Sequence, residues 1–483
     1  MINTILYALV VGGLTSIHGP ALKTGDTPDL TAARKLWAKK FALSTFLAAL
    51  GHYIVGGFSQ AALPTLTLDL IWALLILNFF AKGGDRPLNI AVVLSIVMLF
   101  TSCVSLTMDT SETKIARIGL VERVDWGKTP PPLELANIPL VSGEQAIAQG
   151  SKVIKESLGD RYALGSFTLQ KVDGVPVWVA PLEFRSFSGW FFGDYAPGAV
   201  VVNANEATVS ARVVSVDKKN TPVRLVFTPG AFFQRQLNRH VNAQGVFNFL
   251  YEEAHLELDD DMKPWWVVFG YSPLSNKQVK SGKILLVDPE TGATHAFTPD
   301  TIPSWVDVVV SRLDIATKIK DWGTLSGGKG AALAGSPFLV TPSIVNGQSV
   351  FFVNGSDGRS YYYAGLKQAN IRYDRLESFT LTDIRSGNTI EYPYVGTLGK
   401  TPALALEKVY KQLSSSSVTP TAPVLCSINR RPVYVVSIID EQGALHKVAL
   451  IDVQRDIIAL GNDKESALKE FKKIVESPES VTN

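Results

Sequence analysis

The segment Glu252-Glu253-Ala-His255-Leu-Glu257-Leu-Asp259-Asp260-Asp261 is the densest gathering of hard oxygen donors in the chain. Carboxylates this close could hold calcium, but the spacing is not that of an EF-hand loop and the invariant turn glycine is missing. The plainer reading is a solvated helix end running into a turn. Gly323-Thr-Leu-Ser-Gly-Gly328-Lys329 fills the opening positions of a phosphate loop. Gly330 stands where Ser or Thr must hold magnesium, and a helix rather than a strand is expected before it, so this segment reads as a flexible connection. The histidines show no metal-ligand spacing, and no nucleophile elbow surrounds a serine. No catalytic, metal or cofactor residue is assigned, and the chain reads as a non-enzyme.

Two other groupings offer binding rather than catalysis. Phe187-Ser-Gly-Trp190-Phe191-Phe192-Gly-Asp-Tyr195 concentrates rings beside flexible residues. Trp190, Phe191, Phe192 and Tyr195 there could contact a partner or a membrane surface, or pack between repeats. His52 and Asp69 lie in apolar surroundings, where a local His–Asp or headgroup contact, an inter-subunit contact and an ion path all stay open.

Those surroundings are four apolar runs, 2–18, 41–58, 65–81 and 88–107. Each has about 17–20 residues, enough to cross a hydrocarbon core of about 30 Å. Lys23, Arg34, Lys35, Lys39 and Lys40 follow the first run, and Lys82 and Arg86 follow the third. Positive residues stay cytoplasmic, which places the N-terminus and everything after residue 108 outside. Gly12, Gly13, Gly51, Gly56 and Gly57 would permit close helix packing. The net charge of +2 gives no argument for nucleic acid. Cys103 and Cys426 do not suggest a disulfide framework.

The remainder carries a repeated unit. Asp173-Gly-Val-Pro176-Val-Trp178, Asp261-Met-Lys-Pro264-Trp-Trp266 and Asn429-Arg-Arg-Pro432-Val-Tyr434 share one pattern, with Asn346-Gly-Gln-Ser349-Val-Phe351 as a degenerate copy. In chain order the anchors lie 88, 85 and 83 residues apart. Asp or Asn suits a turn, and Pro opens a strand where no ladder N–H is needed. Each copy also closes a later strand on Asn203, Asp288, Asp383 or Asp452, read as turn-makers. Helices are expected at 142–158, opening on a capping box at Ser142, and at 232–253, 304–322, 402–413 and 463–475.

Glu144-Gln-Ala-Ile-Ala148 followed by a turn such as Leu286-Val-Asp-Pro-Glu-Thr-Gly292 resembles the PepSY family across residues 142–461. That resemblance implies an extracytoplasmic, non-catalytic binding or regulatory module and transfers no catalytic residues. The expected fold is a four-helix transmembrane region (1–108), a linker (109–141), four PepSY-like α+β repeats (142–228, 229–303, 304–397, 398–461) and a C-terminal helix and tail (462–483). The expected protein is a multi-pass scaffold of a bacterial-type inner membrane, its large domain periplasmic, its partners the lipid bilayer, other copies of itself and other envelope proteins. The alternative is a channel or transporter subunit with an exterior cap.

Overall fold

In a computed structural model, the structure describes residues 23–24, 27–28 and 121–476 except 127–130, 206–210, 245–249, 252–253, 272–281, 326–338, 369–374, 394–398, 414–416 and 442. The chain forms two compact units. One comprises Met1–Ser111, Asn238–Tyr251 and Ser272–Leu274; its described parts include a short ladder of Lys23–Thr24 with Thr27–Pro28. The other comprises Glu112–Leu237, Glu252–Tyr271 and Ser275–Asn483, and holds the strands described next.

Four sheets in this larger unit share one antiparallel strand plan. In the first, the long strand Val175–Phe184 pairs on one side with Tyr162–Leu164 and Thr168–Val172, end to end. On its other side lies Ala199–Asn203, and Ala211–Val214 forms the far edge. Pro264–Tyr271, Ser360–Gln368 and Arg431–Asp440 hold the long-strand place in the other sheets. Their third and fourth strands are Lys283–Val287 and Thr294–Phe297, Arg375–Asp383 and Thr389–Pro393, and Leu445–Asp452 and Ile458–Gly461. The long strands are rich in β-branched and aromatic residues and are buried along most of their length, as strands covered on both faces must be.

Local chemistry explains the turns. Asp173 (φ 53°) and Gly174 (φ 77°) make a two-residue hairpin loop, and Asn429 (φ 50°) with Arg430 (φ 64°) makes its counterpart in the fourth sheet. Positive φ at both loop residues matches the twist of the flanking strands. Asp288 Oδ1 accepts the N–H groups of Glu290 and Thr291, Asp383 Oδ1 those of Arg385 and Ser386, and Asp452 Oδ1 those of Gln454 and Arg455. These carboxylates therefore close turns.

Every copy is fastened to the segment leading into it by one recurring contact. The residue after the turn Asn or Asp (Ala204, Pro289, Ile384 or Val453) offers its carbonyl. The donors are the N–H groups of Leu140 and Val141, of Val226 and Phe227, of Val309 and Val310, and of Lys400. The next residue always bears a hydroxyl: Ser142, Thr228, Ser311, Thr401. Ser142 closes a capping box with Gln145, and the hydroxyls of Ser311 and Thr401 accept N–H bonds at 3.1 and 3.2 Å. The aromatic residue two places after each proline completes the tie. Trp178, Trp266 and Tyr434 donate to the carbonyls of Val141, Phe227 and Lys400 at 2.9, 2.7 and 3.0 Å.

The sheets touch in cyclic order. Gln170 exchanges two hydrogen bonds with the Leu258 backbone, joining the first to the second. Val267 and Leu286 share a core with Tyr362 and Leu366, joining the second to the third. Tyr363 and Leu381 pack with Tyr434 and Ile451, joining the third to the fourth. Gln145 donates to the Gly443 carbonyl and Ser437 to that of Leu140, which returns the fourth to the first. Residues expected as a linker take part in this: Val121–Arg123 lies parallel to Thr389–Pro393, and Leu133 is fully buried.

The expected fold class is corrected. Strand makes up 41% of the structure against 25% helix. Among the described residues no helix is long and apolar enough to cross a membrane, so the four-helix transmembrane architecture and the membrane-protein description built on it are set aside. The longest described helix, Gly143–Leu158, has 16 residues and carries Glu144, Lys152, Lys155 and Glu156, whereas a crossing needs about 20 predominantly apolar ones. The four apolar runs lie outside the described residues. Two expected helices shrink for local reasons. Residues 304–311 form no helix: a turn leads into buried Val306, Val308, Val309 and Val310, and the helix is Arg312–Leu325; among the described residues of 232–253 the α-helix is Leu237–Gln244. The third anchor is also misplaced. Asn346 and Gly347 close a small turn between Val345 and Gln348, while the hairpin turns at 355–359 and Ser360 opens the long strand.

Candidate functional site

Two insertions interrupt the shared plan, and both carry exposed rings. Between its long and third strands the first sheet inserts residues 185–198, where the fourth sheet needs only 441–444. Ser186 accepts the Gly189 N–H at 3.1 Å and caps the short helix Phe187–Phe191. Gly193 then lies so close to the Phe184 ring that a Cβ would meet it at 2.6 Å, so only glycine lets the chain fold back here. The second insertion is 229–236, between Thr228, whose counterparts cap helices directly, and Leu237. A bridge from Thr228 to Gln236 closes it, and the Leu237 N–H returns to the Thr228 carbonyl at 3.0 Å.

The two insertions meet ring to ring. Phe187 stands edge-on to Phe232 at 5.0 Å, and Trp190 lies 5.3 Å from Phe232 and 5.8 Å from Phe233. Phe191 and Phe192 extend the cluster, 61% and 82% exposed; Phe187 and Phe233 are 48% and 52% exposed. Such rings, worth most when buried, are held in water. At the rim, Arg224 covers the Tyr195 ring at 5.2 Å and pairs with Glu290, Arg235 donates to the Asp194 carbonyl, and Arg185 faces Asp160 at 3.9 Å. The structure thus brings together Trp190, Phe191 and Phe192, sets Tyr195 at the edge, and adds Phe232 and Phe233, which sequence reasoning missed.

Phe233 holds a positive φ of 53°, a conformation costing a side-chain-bearing residue about 1–2 kcal/mol. Strain of this kind concentrates where geometry serves binding. Phe233→Gly should therefore melt above Phe233→Ala, since only glycine relieves the strain while both lose the ring. The reverse order in thermal unfolding would mean the backbone there is relaxed.

The other sequence candidates divide. In the acidic segment, Glu252 and Glu253 lie outside the described residues. Glu257 is fully buried, Asp259 accepts from the Asp261 and Lys263 N–H groups and the Trp265 indole, and Asp261 pairs with Lys219. The carboxylates are engaged separately rather than converging. Among the described residues no group of His, Cys, Asp and Glu could hold a metal ion. His52, Asp69 and most of the glycine-rich segment after Leu325 lie outside the described residues. An open groove of about 660 Å³, lined by Val175, Val177, Val201, Val214 and Met262, has Asp173 and Lys218 at its edge, already paired with each other.

One half-buried acid is poised to titrate. The Asp307 carboxylate accepts the Lys171 N–H and sits near Glu257. Burial, then the Glu257 charge, pushes its pKa up to about 6 from 3.8. A raised folded-state value means the fold holds the proton more tightly than the unfolded chain. Its stabilising contribution is whole below pH 3.8 and is lost as pH rises through about 6. Asp307→Asn keeps an acceptor for Lys171 and cannot ionise. Its unfolding free energy should gain on the native chain by up to ~3 kcal/mol between pH 4 and pH 7.5. A difference that is flat with pH would refute the assignment.

No family model and no curated protein matches this chain. Among solved structures it is similar to a cobalt-substituted ACO from Synechocystis, at 9% identity and a TM-score of 0.14, covering 61% of this chain and 48% of that one. It is likewise similar to an ACO/RPE65 chimera, at 9% identity and a TM-score of 0.14, covering 60% and 47%. The chain thus spans about half the length of either structure, and scores this low carry no argument about fold or activity.

Proposed function

We propose that this protein is a non-catalytic interaction scaffold that docks a protein partner through the exposed aromatic surface of its first two copies. The observation that carries the reading is the pairing of two insertions, 185–198 and 229–236, whose rings meet each other and face solvent. Insertions on a repeated framework are where such proteins place recognition, because the framework fixes them while leaving their sequence free. Among the described residues, several carboxylates that could do chemistry are engaged in holding backbone. The turn aspartates bind backbone N–H groups, and Glu257 holds those of Asp307 and Val308. Rings at the centre with arginines at the rim match the composition of interface hot spots.

A photo-crosslinking phenylalanine analogue at position 192, installed in the full chain and irradiated in cells, tests this. A discrete protein adduct, absent when the analogue replaces the exposed Leu313, is the expected result. No adduct from position 192 would sink the reading.

A further inference from the structure

We infer that the aromatic surface is a self-complementary interface whose occupant is the same surface of a second copy of this chain; the inference rests on the interaction reading above and names its partner. Area is the first argument. The exposed fractions of Phe187, Phe191, Phe192, Tyr195, Phe232 and Phe233, on rings of about 150–250 Å² each, amount to roughly 600 Å². That reaches the upper end of the largest patch on ordinary monomers, about 300–600 Å². Two such faces brought together would remove roughly 1,200 Å² from water before any rim contact, the lower bound for a specific, stable interface.

Charge is the second argument. Arg185 and Asp160, both exposed, stand 3.9 Å apart, and Arg224 and Glu290 stand 3.4 Å apart. A rim of both signs around an apolar centre can meet its own two-fold image, arginine against acid, with rings stacking on rings. The same rim disfavours an anionic lipid surface, which would face Asp160 and Glu290. It equally disfavours a strongly acidic or strongly basic partner, for which half the rim would be repulsive. Charge and area therefore select the second copy over a membrane.

Sedimentation velocity of the full chain across a concentration series, with Phe192→Asp and Phe233→Asp beside the native protein, tests the inference. Phe192 and Phe233 are half or more exposed, so both variants should keep their melting curves near that of the native chain. The expected result is a reversible dimer whose dissociation constant rises at least about tenfold in each variant, while Leu313→Asp leaves it unchanged. A monomeric native chain, or a dimer indifferent to both substitutions, would overturn it. So would flotation with phosphatidylserine vesicles that depends on Phe192 while the chain stays monomeric. The crosslinker at 192 separates the two levels of the argument. An adduct of twice the chain mass supports self-pairing, whereas an adduct with a different protein removes this inference and leaves the interaction reading standing. No adduct removes both.

Discussion

Trp266→Ala should cost about 3–5 kcal/mol, the usual loss for a deleted buried aromatic, and lower the melting temperature by on the order of 10 °C. Trp266 is 1% exposed and is among the largest fully buried side chains. Its indole N–H donates to the Phe227 carbonyl at 2.7 Å, the shortest of three equivalent ties. Two contributions are separable. Trp266→Phe removes the donor and keeps a six-membered ring in the core, so it should cost about 1–3 kcal/mol. Chemical denaturation of both variants measures the split. Equal losses would show that the tie, not packing, holds the second sheet to its lead-in. Tyr434→Phe should follow the Trp266→Phe pattern, because the Tyr434 hydroxyl donates to Lys400 and accepts from Tyr363.

The aromatic position of the repeated motif was legible in the sequence, but its reason was not. Proline two residues earlier marks a strand start by its own covalent chemistry, and Asp173-Gly174 marks a turn by its tolerance of positive φ. Such signals are local, and so they survive translation into three dimensions; the capping box at Ser142 is another. The carbonyls that receive Trp178, Trp266 and Tyr434 lie 37, 39 and 34 residues upstream. Nothing in a window of ten residues points to them.

Where local signals compete, the wrong one can be chosen. Asn346-Gly347 is as good a turn signal as Asp173-Gly174, yet it closes a small loop ahead of the hairpin. The true counterpart of the prolines is Ser360, identified by a tie that sequence does not display: its carbonyl accepts the Ile384 N–H, as Pro176 accepts that of Ala204 and Pro432 that of Val453. The helix expected from residue 304 failed similarly. Ser304 and Ser311 both offer a cap, but the β-branched run between them favours extended backbone, and only Ser311 caps.

The candidate site was half legible. Phe187 to Tyr195 stood out because five rings in nine residues beside glycine is unusual in a packed strand. Phe232-Phe233 did not, because a phenylalanine doublet has no fixed meaning: Phe351-Phe352 is another, and it lies in a strand of the third sheet with Phe351 buried. What separates the doublets is the insertion between Thr228 and Leu237, visible only once the helix caps of the four copies are aligned in space.

Glu257→Ala should be nearly as damaging as Trp266→Ala, though Glu257 is an acid in a mostly apolar layer. It is fully buried, its carboxylate accepts the Asp307 and Val308 N–H groups at 2.8 Å each, and it lies 3.1 Å from His255 Nε2. Alanine would leave both donors without this acceptor, the Val308 N–H in the buried interior and the Asp307 N–H at its half-buried edge, at about 1–3 kcal/mol each. The affected segment, 304–310, is the lead-in to the third copy, so the loss falls on the junction between the second and third sheets. Glu257→Gln retains one acceptor oxygen and should fall between native and alanine. A consequence for Asp307 follows from charge alone. Removing Glu257 takes away a repulsion but not the burial, so the Asp307 pKa should drop part of the way from about 6 toward 3.8. The pH-dependent gain of Asp307→Asn should therefore shrink, without vanishing, when measured in a Glu257→Gln background. Urea unfolding of the four chains in that cycle at pH 4 and pH 7.5 decides it. An undiminished gain would mean the two carboxylates do not sense each other, and burial alone raises Asp307.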